Sequence, residues 1–183
     1  MRALLLVFTL GVFAATTTAA MVTPETQTTL KTLSALNGAA FDVAFMRVLV
    51  PVHEEAVEIA MAATLTADHT ELLKWNQRLV ERKNAQVRQM LTWLREAGAS
   101  PAQRNVGVAT PAVKKLRGLK GGALERAYVP MMASHLERSV ALSRLAATKA
   151  HRPELRAVAQ EIVRVESQEV TLLRGWLRKW YPG

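Results

Sequence analysis

The chain has 183 residues, half of them hydrophobic, with 24 Lys and Arg against 15 Asp and Glu and no cysteine. That length suits one domain on the usual scale of roughly 100–200 residues, and the apolar content supports a packed core and argues against disorder. The lack of thiols excludes a disulfide framework, a zinc–thiolate site, an iron–sulfur cluster and a cysteine nucleophile.

Residues 1–20 read as a secretory signal. Arg2 supplies the positive start, the apolar run Leu4–Ala15 is too short to span a bilayer, and Thr18 and Ala20 suit the small positions before a cleavage point. The expectation is a secreted or periplasmic protein of the cell envelope, with residues 21–183 as one soluble domain. Within that domain the sequence repeats itself. Residues 33–95 match 116–178 at an offset of 83 without a gap. Glu71-Leu72 faces Glu154-Leu155, and Trp93-Leu94-Arg95 faces Trp176-Leu177-Arg178.

Each repeat reads as a helical hairpin. The first helix is predicted from about Ala39 to Leu65, where Phe45, Leu49, Val52, Ala56 and Ile59 fall at spacings of three and four. Pro51 inside it predicts a kink. Asp68 is expected as an N-cap, with Glu71 in capping-box position. The second helix follows from about Thr70 to Ala97 on the seven-residue recurrence Leu73, Val80, Val87 and Leu94, and Gly98 and Pro101 end it. Residues 98–115 contain Gly98, Pro101, Gly107 and Pro111 and are expected as a crossover loop. The second hairpin is predicted at about Leu124–Lys149 and Pro153–Trp180, with Pro153 suited to a first helical turn. Neither hairpin can bury its apolar stripe alone. Two of them around a pseudo-twofold axis make an all-α four-helix bundle.

The segment Phe41-Asp42-Val43-Ala44-Phe45, continued by Pro51-Val52-His53-Glu54-Glu55-Ala56-Val57-Glu58-Ile59-Ala60, resembles the motif FDxxFxxMMIPHHxxAIxMA of the bacterial domain-of-unknown-function family 305. The family's second motif, QxxEIxxMxxWL, is matched by Lys83, Gln86-Val87, Met90 and Trp93-Leu94, and again by Glu166, Glu169-Val170, Leu173 and Trp176-Leu177. That family is ferritin-like, and some members are associated with copper. The resemblance implies a ferritin-like bundle and copper held by imidazoles and thioethers, ligands that suit its oxidation states. The candidate donors are His53 with Met90 and His135 with Met131. Val52 and Leu136 stand where the motif has its other histidines, and Leu173 where it has its second Met. The bland alternative is hydrogen-bonded helix histidines and Met as core filler.

Lys83 and Glu166 are equivalent positions in the two repeats. They are expected either to pair across the bundle axis as a core ion pair or to be solvated. His69 and His151 fall near the hairpin turns and are expected in water. Trp93 and Trp176 are expected as packing anchors, and Asp42 and Glu125 as first-turn charges favoured by the helix dipole.

Catalysis has little support. Val57 breaks an HExxH pattern, no Glu stands three residues before a His, and no GxSxG elbow or phosphate loop exists. No enzyme is expected. The charge offers another role. Residues 21–98 carry 8 basic and 9 acidic side chains, whereas residues 99–183 carry 15 and 6. Lys114, Lys115, Arg117 and Lys120 form a basic cluster that would draw an anionic envelope partner to a non-catalytic interaction module. Nucleic acid is disfavoured by export and by the lack of a reading motif, and a homodimer is a further expectation.

Overall fold

The computed structural model describes residues 23–102 and 109–182. The signal read at residues 1–20 lies outside them. Among the described residues the chain forms α1 (Pro24–Ser34), α2 (Gly38–Thr64), α3 (Thr70–Glu96), α4 (Pro111–Leu116), α5 (Gly121–Lys149) and α6 (Pro153–Trp180). The four long helices are the expected hairpins, and no helix among the described residues is long and apolar enough to cross a membrane. The short helix α4 occupies a stretch expected as loop. Its sequence explains it: the Thr110 hydroxyl accepts the Val113 amide at 3.3 Å and Pro111 opens the first turn. Thr23 and Pro24 start α1 in the same way.

Helix α2 packs on α3, and α5 packs on α6. The hairpins meet through a close approach of α2 and α5, with α1 and α4 laid against that central pair. The apolar interior divides into two clusters that exchange under the repeat. Phe41, Phe45 and Leu49 belong to the first, and their equivalents Leu124, Tyr128 and Met132 belong to the second. Each cluster joins the open end of one hairpin to the turn end of the other. All six of those side chains are fully buried, and burial of a large apolar side chain is worth about 1.5–3 kcal/mol.

The hairpin turns are held across the repeat, which corrects two expectations. Asp42 and Glu125 lie inside their helices rather than in a first turn, and both are buried. The Asp42 carboxylate accepts the amides of His151 and Arg152 at 2.8 and 2.7 Å, just ahead of α6. Glu125 Oε1 accepts the amides of Asp68 and His69, both at 2.8 Å, just ahead of α3. Asp68 therefore does not cap α3. His69 holds that position without a capping side chain, and the equivalent service comes from the other repeat. A carboxylate on two adjacent amides at a helix start gains charge-assisted hydrogen bonds and a favourable dipole. Close approach of the turns also fixes Gly121. Its φ is +52°, its amide donates to the Thr66 carbonyl at 2.7 Å, and a Cβ there would lie 2.5 Å from Asp68 Oδ2.

Removing either carboxylate strands two partly buried amides. Asp42→Ala is expected to cost about 1–3 kcal/mol, with Asp42→Asn intermediate. Because the two turns are at opposite ends of the molecule, the Asp42→Ala and Glu125→Ala losses should add in urea unfolding.

Candidate functional site at the bundle centre

Four polar side chains occupy the middle of the four long helices, between the two apolar clusters. His53 comes from α2, Lys83 from α3, His135 from α5 and Glu166 from α6. Lys83 and Glu166 are fully buried and meet at 2.5 Å, Nζ to Oε1. The Lys83 ammonium also reaches Nδ1 of the fully buried His53 at 3.1 Å. An ammonium only donates, so Nδ1 offers the lone pair and the ring proton resides on Nε2. His135 Nε2 lies 2.8 Å from the Val52 carbonyl. A carbonyl only accepts, so Nε2 carries the proton and Nδ1 is the lone-pair nitrogen, 3.9 Å from Glu55 Oε2. Val52 is the repeat equivalent of His135, so this contact also lies near the pseudo-twofold.

The electrostatics follow from burial. Loss of water pushes the His53 pKa well below its ordinary value, and the Lys83 ammonium and His135 add to the effect. His135 is lowered to about 4, first by burial and against the pull of the Val52 carbonyl. Burial also lowers Lys83, and Glu166 opposes that shift by charge and hydrogen bond. Beside this layer Arg82 grips both oxygens of Glu169, at 2.8 and 2.7 Å. Burial raises the Glu169 pKa against that partner.

The arrangement does not fit a copper ion at the centre. The one lone pair of the His53 ring is taken by Lys83, and the lone-pair nitrogen of His135 faces the hard carboxylate of Glu55 rather than a thioether or a second imidazole. The thioethers are divided: Met90 is buried in the first apolar cluster, and Met131 packs on the second. Among the described residues no group of three or more His, Cys, Asp or Glu is placed to hold a metal ion. What stands between imidazole nitrogen and carboxylate oxygen is an ammonium, a resident cation supplied by the chain.

The other singled-out residues fall elsewhere. Lys114 and Lys115 on α4, with Arg117 and Lys120 after it, are exposed. Trp93 is buried in the first cluster, and Trp176 packs on the second and stacks on Trp180. His151 is exposed, whereas His69 is not simply solvated. Its ring stacks on Trp180 at 3.9 Å between centroids, and Nδ1 lies 2.6 Å from Glu125 Oε2. The Tyr181 hydroxyl donates to the same oxygen at 2.6 Å. Burial and the adjacent carboxylate push Tyr181 up to about 12. Burial opposes ionisation of Glu125, but the Tyr181 hydroxyl and the His69 amide and ring outweigh it, and its pKa lies below the ordinary carboxylate value. This cluster joins residues more than fifty positions apart and escapes any local reading of the sequence.

Fold and centre together define a bundle of two duplicated helical hairpins closed on an internal ion pair. The chain belongs to the DUF305 family, Domain of unknown function (DUF305), whose model matches residues 11–94 and again 97–182. CopM in its Cu(I)-bound form superposes with a TM-score of 0.67 at 23% identity, covering 76% of this chain and 97% of that one. The Cu(II)-bound form of CopM gives 0.66 at the same identity, over 76% and 98%. A DUF305 protein from Streptomyces coelicolor that is taken to be secreted gives 0.69 at 21% identity, over 75% and 93%. At these identities the likeness establishes the fold. No curated protein sequence matches the chain.

Lys83→Met leaves Glu166 buried without its countercharge and is expected to cost about 3–5 kcal/mol in urea unfolding. The double change Lys83→Met/Glu166→Leu should recover most of that loss, because an apolar pair removes the stranded charge. A second outcome concerns pH. His135 is protonated more readily in the unfolded chain, at its ordinary 6.5, than in the fold, at about 4. Its contribution to stability is therefore complete above the unfolded value and is lost as pH falls toward the folded one. His53, lowered in the same direction, steepens that loss. His135→Gln keeps a donor for the Val52 carbonyl and should flatten the acid limb of the unfolding profile.

Proposed function

We propose that this protein is an exported, non-catalytic binding module of the cell envelope, whose interior is closed by its own ion pair and whose work is done at a basic surface. The observation that carries this reading is the cluster Lys114, Lys115, Arg117 and Lys120. All four are exposed, and no ion pair to them exists among the described residues. The rest of repeat two reinforces their sign, since residues 99–183 hold 15 basic and 6 acidic side chains. Unpaired surface cations in a basic field attract and hold anionic partners, and salt screens that attraction. Export is supported by the signal-like sequence of residues 1–20 and by the likeness to the Streptomyces coelicolor protein.

Copper binding is the second reading, favoured by the family and by the likeness to CopM in its copper-bound forms. Its donors would be His53, Met90, His135 and Met131, and copper would be the cargo rather than a resident cofactor. Soft thioethers and imidazoles suit Cu(I), but the Lys83 ammonium stands between His53 and Glu166.

Two measurements on the chain lacking residues 1–20 separate the readings. Retention on an anionic matrix should fall steeply with salt, and should drop when Lys114, Lys115, Arg117 and Lys120 are changed to Gln. Retention unaffected by both would overturn the interaction reading. Titration with Cu(I) against a competing chelator should give the same weak result for wild type and for His53→Ala/His135→Ala. Stoichiometric binding lost in that double variant would establish the copper reading instead.

A further inference from the structure

We propose that the α4 end of the bundle is a docking surface for an anionic lipid bilayer. This rests on the interaction reading and names its partner. The first observation is apolar. Leu65 is 92% exposed and Met61 62%, while nearly every other large hydrophobic side chain among the described residues is at least partly buried. They stand four residues apart at the end of α2, so they share one face.

The second observation is charge at the same place. The Thr66 carbonyl accepts the Gly121 amide, which sets Leu65 beside Lys120. Arg117 and Lys120 line a shallow pocket of about 260 Å³ with Ala62 and Thr66, floored by Val113 and Leu116. Lys114 and Lys115 project from α4 next to it, and Arg178 and Lys179 close α6 at the same end of the molecule. Asp68 and Glu71 are the exposed acidic neighbours at this end and Glu58 stands one turn before Met61, so the cations outnumber them, while Glu125 is turned inward onto the amides of Asp68 and His69.

No single simpler partner accounts for both observations. A soluble polyanion would engage the cations and leave Leu65 in water. An apolar protein groove would cover Leu65 and strand the cations. The interface of an anionic membrane takes both, since headgroup phosphates pair with Lys and Arg while apolar side chains reach the acyl boundary. Each signal is weak alone, and stable peripheral binding needs two. Their juxtaposition is supplied by the Gly121–Thr66 contact, which ties the α4–α5 link to the α2–α3 turn.

The test is co-sedimentation of the chain lacking residues 1–20 with phosphatidylcholine vesicles, with and without phosphatidylglycerol. Binding is expected only with phosphatidylglycerol and should weaken with salt. Lys114→Gln/Lys115→Gln should reduce it about twenty-five-fold, at roughly fivefold for each cation. Leu65→Ser should reduce it about tenfold. All these side chains are on the surface, so unchanged helical circular dichroism and melting temperature certify the variants. Absence of binding to phosphatidylglycerol vesicles at low salt would overturn the proposal, as would binding indifferent to Leu65→Ser. Salt-sensitive retention on dextran sulfate without vesicle binding would overturn the lipid partner and leave the interaction reading standing. Failure on both supports would overturn both.

Discussion

Taking an ammonium out of water costs several kcal/mol even after a protein relaxes around it. Lys83 is fully buried, so the bundle must surround it with acceptors, and these come from two other helices: Glu166 Oε1 of α6 and His53 Nδ1 of α2. That requirement shapes the rest of the molecule. It brings α3 and α6 into contact through long side chains, although their backbones remain farther apart than those of α2 and α5. It also divides the core into an apolar cluster on either side of a polar layer. Finally, it bears on His53: burial first, and the adjacent ammonium after it, hold the ring unprotonated, and its Nδ1 lone pair is used.

The symmetry of the fold is kept at the ends and broken at the centre. At the ends, Asp42 and Glu125 are equivalent acids performing equivalent tasks, each holding the turn of the other hairpin. At the centre the equivalents are a base and an acid. A symmetric dimer of identical hairpins would set Lys against Lys or Glu against Glu near its axis, where like charges repel without screening water. The heterotypic pair is available because both hairpins lie on one chain and have diverged. It favours pairing of unlike hairpins over pairing of like ones. A similar coupled divergence occurs above the centre. The Tyr128 hydroxyl donates to Asn76 Oδ1 at 2.5 Å, while the equivalent positions in the other half hold Phe45 and Ala159.

Much of the fold was legible because its information is periodic. The offset of 83 specifies two hairpins, and the apolar spacing places their helices to within a few residues. The central pair was legible in outline for the same reason, since Lys83 and Glu166 are equivalent positions on inward helices. Whether they meet or remain in water depends on packing depth, which the sequence leaves open. The cross-repeat capping was not read, because capping rules are local and these carboxylates act more than fifty residues away. A signal was nonetheless present: Asp42 lies between Phe41 and Val43 on a buried stretch, where a carboxylate needs partners from elsewhere. The helix α4 was missed although Thr110-Pro111 is a helix-start pair, because glycines and prolines dominate its surroundings.

The same physics bears on what a family member with this centre can do. A metal ion requires lone pairs that converge and are free. Here the imidazole nitrogen and carboxylate oxygen that converge at the axis are saturated by a cation that cannot dissociate from the chain. Restoring a vacant pocket would mean withdrawing Lys83, which leaves Glu166 charged in a low-dielectric interior. The ion pair thus opposes exchange of the centre's contents and stiffens the middle of four helices. With Lys83 engaging His53 Nδ1 and Glu166 Oε1 at the axis, the recognition proposed above falls to the surface. There the unpaired cations of the second repeat and the exposed end of α2 are brought together by the same hairpin turns that the buried carboxylates hold in place.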